Sequence, residues 1–126
     1  MGGPLAEKQP SNSTPERRSH PRHAEPTLAV SVAGRVFDTE NWSMSGMVLA
    51  DYDGPLSVGS IFDVSTLSRA TEKEKPSAVQ ISARVIRKKG TVLAFNFLEV
   101  DQAAFLLLQE WMAERMKILN EEATNY

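Results

Sequence analysis

Two short clusters in this sequence carry side chains suited to recognising a ligand. The first is Arg17-Arg18-Ser19-His20-Pro21-Arg22-His23, with the spacing Arg18-x-x-x-Arg22 and Arg17 alongside. Arginine's rigid fork matches two adjacent acceptors, such as O6 and N7 on a guanine edge. The same group stacks on a purine face and neutralises a phosphate. Lysine would supply the charge alone, and this segment holds three arginines and no lysine, which favours planar recognition. The second cluster is Asn41-x-Ser43-x-x-Gly46. Asn41 both donates and accepts hydrogen bonds, as does the Ser43 hydroxyl. Gly46 either lets backbone approach closely or takes a φ forbidden to other residues. Trp42, inside this cluster, is expected to fill the core rather than cover a site.

The elements that must position these clusters follow from periodicity. Residues 1–15, with Gly2, Gly3, Pro4, Pro10 and Pro15, have little to bury and are expected to form a disordered tail. Pro21 and Pro26 keep the arginine loop, 16–23, from being a helix interior. From Thr27 the period is two. Leu28, Val30 and Val32 alternate with smaller residues as a half-buried strand, Ala33-Gly34 makes a tight turn, and Arg35 to Asp38 returns. Asn41 to Gly46 reads as a turn, Met47 to Ala50 as a short strand, and Asp51 to Pro55 as a further turn. Ile61 to Leu67 is a strand and 68–76 an exposed loop. Val79, Ile81, Ala83 and Val85 alternate with Gln80, Ser82 and Arg84 in the clearest strand of the chain. Lys88-Lys89-Gly90 is a hairpin turn, and Val92 to Phe97 returns with Leu93, Phe95 and Phe97 on one face. Short connections between consecutive strands make the sheet antiparallel, in a sandwich or barrel over 27–98. After Val100 the period becomes helical. Asp101 is the N-cap, and Phe105, Leu108, Met112, Met116 and Leu119 form a stripe that Leu107 and Trp111 widen. The helix is expected over 102–119, with 121–126 as a tail.

The two clusters, in this order and separated by a strand pair, resemble the signature of PilZ domains. RxxxR is met by Arg18 and Arg22, and [DN]xSxxG by Asn41, Ser43 and Gly46. The resemblance covers about residues 16–120. It implies an all-β fold with a C-terminal helix, a six-stranded antiparallel barrel of the PilZ type. It also implies a ligand, the bacterial second messenger cyclic dimeric GMP, with two guanines and two anionic phosphodiesters. Arg17, Arg18, Arg22, Asn41, Ser43 and Gly46 are then the expected ligand-binding residues. A chain of 126 residues leaves little room for an output domain, so the signal is expected to pass to an effector protein through ordering of the arginine segment. The wide helical stripe calls for either a deeply docked helix or a homodimer through that helix. The alternatives are an adaptor of the same fold that binds protein without nucleotide, and a small RNA-binding barrel.

Composition narrows these options. The formal net charge of −2, with too little basic–aromatic interleaving on the strands, argues against nucleic-acid polymers and anionic membranes. There is no cysteine, so disulfides and thiolate metal sites are excluded. No apolar run has the length of a membrane span, and no apolar signal core is seen, so a cytoplasmic protein is expected. His20 and His23 lack a third metal ligand, and Asp51-Tyr52-Asp53-Gly54 lacks the remaining acidic ligands of a calcium loop. Asp38, Glu40, Asp51 and Asp53 imply no substrate cleft, and there is no glycine-rich phosphate loop and no GxSxG elbow. No enzymatic activity, cofactor or metal is expected.

Overall fold

The computed structural model describes residues 25–124. Residues 1–15 and the arginine loop 16–23, with Arg17, Arg18 and Arg22, lie outside the described residues. Six strands follow: β1 Leu28–Val32, β2 Arg35–Trp42, β3 Gly46–Leu49, β4 Ile61–Arg69, β5 Ser77–Lys89 and β6 Val92–Val100. Helix α1, Gln102–Thr124, ends the described chain. Every strand pairing is antiparallel, and the strands close in the order β1-β2-β3-β6-β5-β4, with β4 returning to β1. Closure leaves no unpaired sheet edge. The expected six-stranded antiparallel barrel with a C-terminal helix is thus the observed fold.

Local chemistry explains the elements. Val32 pairs with Arg35 across a two-residue turn, where Ala33 and Gly34 take φ of 53° and 82°. Positive φ at both positions is the type I′ geometry, whose twist matches that of the flanking strands. Leu28, Val30, Val64, Leu67, Ile81, Leu93 and Phe95 point into a single core. Phe62 meets Phe95 edge-on, with ring centroids 4.9 Å apart. Ala104, Leu108 and Trp111 of α1 are buried in the same cluster, so the helix docks on the barrel. The Asp101 carboxylate accepts from the Ala104 amide at 2.9 Å, the expected N-cap.

The elements differ from the sequence reading in several places, among them the β5–β6 turn, which is Gly90-Thr91 because Lys88 and Lys89 still pair with Leu93 and Val92. β1 is buried at all five positions rather than alternately. Ser31 tolerates this because its hydroxyl accepts from the Thr66 amide at 3.0 Å and bonds Ser65 Oγ at 2.8 Å, beside a bulge between β1 and β4. β2 runs on to Trp42 and β6 to Val100, because polar residues interrupt the apolar alternation without ending the pairing. Ser68 and Arg69 belong to β4, and Ala70–Glu72 form a 3₁₀ turn inside the expected loop. The helix continues to Thr124 rather than Leu119, since its last turn is built of helix-compatible residues that need no apolar contact.

The register sorts the barrel's two ends. One end carries the start of β1, the end of β2, the start of β3, the end of β4 and helix α1. There Arg69, opposite Leu28, forms a bidentate pair with Glu114 of α1, at 2.6 and 2.9 Å. The other end carries the β1–β2 and β5–β6 turns and is packed by Tyr52. Its amide donates to Thr91 O at 2.9 Å, and its ring lies 5.3 Å from that of Phe37.

Candidate ligand-binding site

Asn41, Ser43 and Gly46 come together where β2 turns into β3, at the helix end of the barrel. A bulge in the β2–β3 register, between Thr39 and Asn41, aims them. Phe37 and Thr39 face inward; strict alternation would then bury Asn41 and expose Trp42. The extra residue reverses the phase, so Trp42 is 2% exposed while Asn41 faces solvent. Thr39 is satisfied inside because its Oγ accepts from the Leu28 amide at 3.0 Å.

The turn is held by its own polar groups. The Ser43 amide donates to Gly46 O at 2.8 Å, and Ser43 Oγ lies 3.1 Å from Ser45 Oγ and accepts from the Ser45 amide at 3.2 Å. Asn41 Oδ1 accepts from the Trp42 amide at 2.8 Å, while the Asn41 side-chain NH₂ bonds no described residue. Gly46 lies against β6, opposite Asn96 in register, and the Phe97 amide donates to Ser45 O at 2.8 Å. A methyl group on Gly46 would collide with the Phe95 carbonyl oxygen. Its absence therefore serves a close approach between strands, and φ is not in the left-handed region.

From this turn an open groove of about 180 Å³ runs along the outer face of β3, β6 and β5. Asn41, Ser43, Ser45 and Gly46 line its turn end, and Asn96 and Ile86 its far side. Its floor is apolar, with Val48 and Ala94, and its rim offers amide and hydroxyl groups. Arg84, the register partner of Asn96 on β5, is exposed and forms no ion pair with a described residue. Such a surface can take a flat ring against its floor and bond the ring's edge from the rim.

The structure thus brings together Asn41, Ser43 and Gly46 of the expected site. Arg17, Arg18 and Arg22 lie outside the described residues, as do His20 and His23. Trp42 fills the core, as expected, and its Nε1 donates to Pro26 O at 2.7 Å. Ser45, Ile86 and Asn96 were not singled out from sequence. Asn96 was accessible to that reasoning, because it alternates with the inward Phe95 and Phe97. Arg115 was also missed. It is buried beneath Trp42, with Cζ 4.2 Å from the indole centroid, and burial pushes its guanidinium below its usual value.

Elsewhere, Asp53 pairs with Arg35 at 2.6 Å, and this hydrogen bond holds its carboxyl below the usual range. Asp51 to Gly54 forms part of the barrel-end plug. Among the described residues no group of three or more His, Cys, Asp or Glu side chains is placed to hold a metal ion. No helix among them is long and apolar enough to cross a membrane. No protein-family model matches the chain, and neither a curated protein nor a solved structure matches it significantly.

Proposed function

We propose that this chain binds cyclic dimeric GMP in the groove at the β2–β3 turn, as a receptor of the PilZ type, and relays binding to a protein partner. The observation that carries the reading is where the chain enters the barrel. Trp42, which stands between Asn41 and Ser43 in the chain, donates from Nε1 to Pro26 O at 2.7 Å. Arg22 lies four residues before Pro26, and four residues span at most about 14 Å. Arg22 is therefore joined by a short stretch of chain to the residue that Trp42 holds. Asn41 NH₂ and the Ser43 and Ser45 hydroxyls suit a guanine edge and a phosphate, and the arginines supply the forks and the charge. Phe105, Leu106 and Met116 stand half exposed on α1 and favour a protein as the recipient of the signal.

Calorimetry with cyclic dimeric GMP, then with GMP and a short RNA, tests the reading. Binding of the cyclic dinucleotide alone is expected. Arg22→Ala removes one fork-like contact and is expected to cost about 1–3 kcal/mol, roughly 5- to 150-fold in affinity. Arg22→Lys keeps charge without the fork and restores little. If Arg22→Lys binds like the parent and the affinity fades steeply with salt, the cluster is a plain charge patch and the reading is wrong.

A further inference from the structure

Helical spacing puts Ala104, Leu108, Trp111 and residue 115 on one buried face of α1, yet residue 115 is arginine. It is 8% exposed, the one charged side chain buried among the described residues. Its Nε donates to Glu25 O at 3.0 Å and its Nη1 to Trp42 O at 2.9 Å, with the guanidinium over the Trp42 ring. Its Nη2 is buried with no hydrogen-bond partner among the described residues, and no described carboxylate pairs with it. A buried guanidinium without a counter-ion is costly, and a methionine or leucine would pack there without that cost. The compensation comes from two carbonyls and one aromatic face. These belong to two segments distant in sequence. Glu25 stands at the root of the chain leading back to the arginines, and Trp42 sits between Asn41 and Ser43.

We propose that Arg115 is a positioning residue for the groove, joining the β2–β3 turn and the root of the arginine segment to helix α1 so that groove occupancy and helix seating are coupled. The proposal rests on reading the groove as a ligand site. A ligand that draws residues 41–46 toward itself shifts the Trp42 carbonyl on which the guanidinium depends. With Nη2 unpartnered among the described residues, no further bond from them holds it when that carbonyl moves. The coupling is reciprocal: whatever binds α1 and displaces Arg115 changes the affinity of the groove by the same factor. The exposed face of α1 and the groove are then two sites joined through one side chain.

The test uses the full chain with Arg115→Met, and Arg115→Lys should the first fail to fold. In the ligand-free arm, amide exchange is followed at residues 42–46, at 108–120 and at Val85 in the barrel core. The expected result is about tenfold faster exchange at both the turn and the helix, with Val85 unchanged. Faster exchange in the helix alone, or an equal change at Val85, means that Arg115 only stabilises, and overturns the proposal. In the second arm, cyclic dimeric GMP is titrated by calorimetry. The parent is expected to bind and to alter exchange in α1, and Arg115→Met to bind about tenfold more weakly with no response in α1. A variant that binds like the parent and keeps the helix response overturns the coupling. A parent that binds no cyclic dinucleotide overturns the reading of the groove, and the ligand-free arm still decides whether Arg115 sets the turn.

Discussion

Gly46 has no room for a side chain. Beyond the clash with the Phe95 carbonyl, a Cβ there would lie 3.0 Å from Asn96 Oδ1 and 3.2 Å from Asn96 Cα. Two of these three atoms are backbone and cannot swing away. Gly46→Ala is therefore expected to push β3 from β6, costing about 1–3 kcal/mol and distorting the groove. Urea unfolding with an unchanged m-value checks the cost. Ala33 is the opposite case, an exposed residue whose φ of 53° suits glycine better. Ala33→Gly relieves a left-handed conformation that costs an L-residue roughly 1–2 kcal/mol and is expected to stabilise by about that or less, as glycine also frees the unfolded chain. A lower midpoint in urea would contradict this. The legibility of the site divides along the same line of local and distant causes. Asn41, Ser43 and Gly46 were readable because their types and spacing lie in six consecutive residues. Arg115 was not, because a helical arginine is ordinarily solvated and nothing local separates it from Lys117. Its acceptors are 90 and 73 residues away in the chain.

At the scale of elements, the helix shows how an apolar stripe can mislead about phase. The sequence stripe of Phe105, Leu108, Met112, Met116 and Leu119 is turned by about 70° from the buried face of Ala104, Leu108, Trp111 and Arg115, at 100° per residue, although Leu107 and Trp111 widen it toward that face. Phe105 and Met116 are 46% and 50% exposed. Small Ala104 and charged Arg115 carry no apolar signal, so counting apolar residues placed the face too far round. Leu108 belongs to both sets, as does Trp111 of the widened stripe, and Leu108→Ala is expected to cost about 2–5 kcal/mol, whereas Phe105→Ala stays within about 1 kcal/mol. Equal losses would return the face to the original stripe. Strands were readable where alternation was apolar, in β1, β5 and β6. The end of β2 was not, because a buried threonine and a bulge carry the pattern there. The Arg69–Glu114 pair ties α1 to β4. Arg69's hydrogen bond holds the Glu114 carboxyl below its usual value, so the folded state takes up this proton less readily than the unfolded chain. The stabilisation is thus complete above the ordinary carboxylate range and is lost as pH falls through the depressed value. Glu114→Gln is expected to cost about 0.5–1 kcal/mol at pH 7, the pair being partly exposed, and the difference from the parent should shrink in acid. Stability measured from pH 7 downward checks the sign; a difference that grows in acid would be wrong for this pair.

On the scale of the whole molecule, the closed sheet and the docked helix share one core, and this decides how the protein unfolds. β1 is hydrogen-bonded on both sides, so no strand can peel from an edge. Buried residues of all six strands join Ala104, Leu108 and Trp111 of α1 in a single cluster. Removing the helix would bare that cluster and strand the buried contacts of Trp42 with Arg115 and Pro26. Most of a helix's stability in a protein comes from packing its apolar face, so α1 gains little by surviving alone. Both outcomes, a barrel without its helix and a helix without its barrel, are therefore disfavoured relative to complete unfolding. A single transition is expected. The two tryptophans make this directly measurable, since Trp42 reports the β2–β3 turn and Trp111 the helix. In Trp42→Phe and Trp111→Phe variants the remaining indole reports one element at a time, each compared with circular dichroism of the same variant. Within each variant the fluorescence and dichroism midpoints in urea are expected to coincide. A Trp111 signal that moves well before the dichroism would mean that α1 undocks as a separate unit, and the shared core would not be what joins helix to barrel.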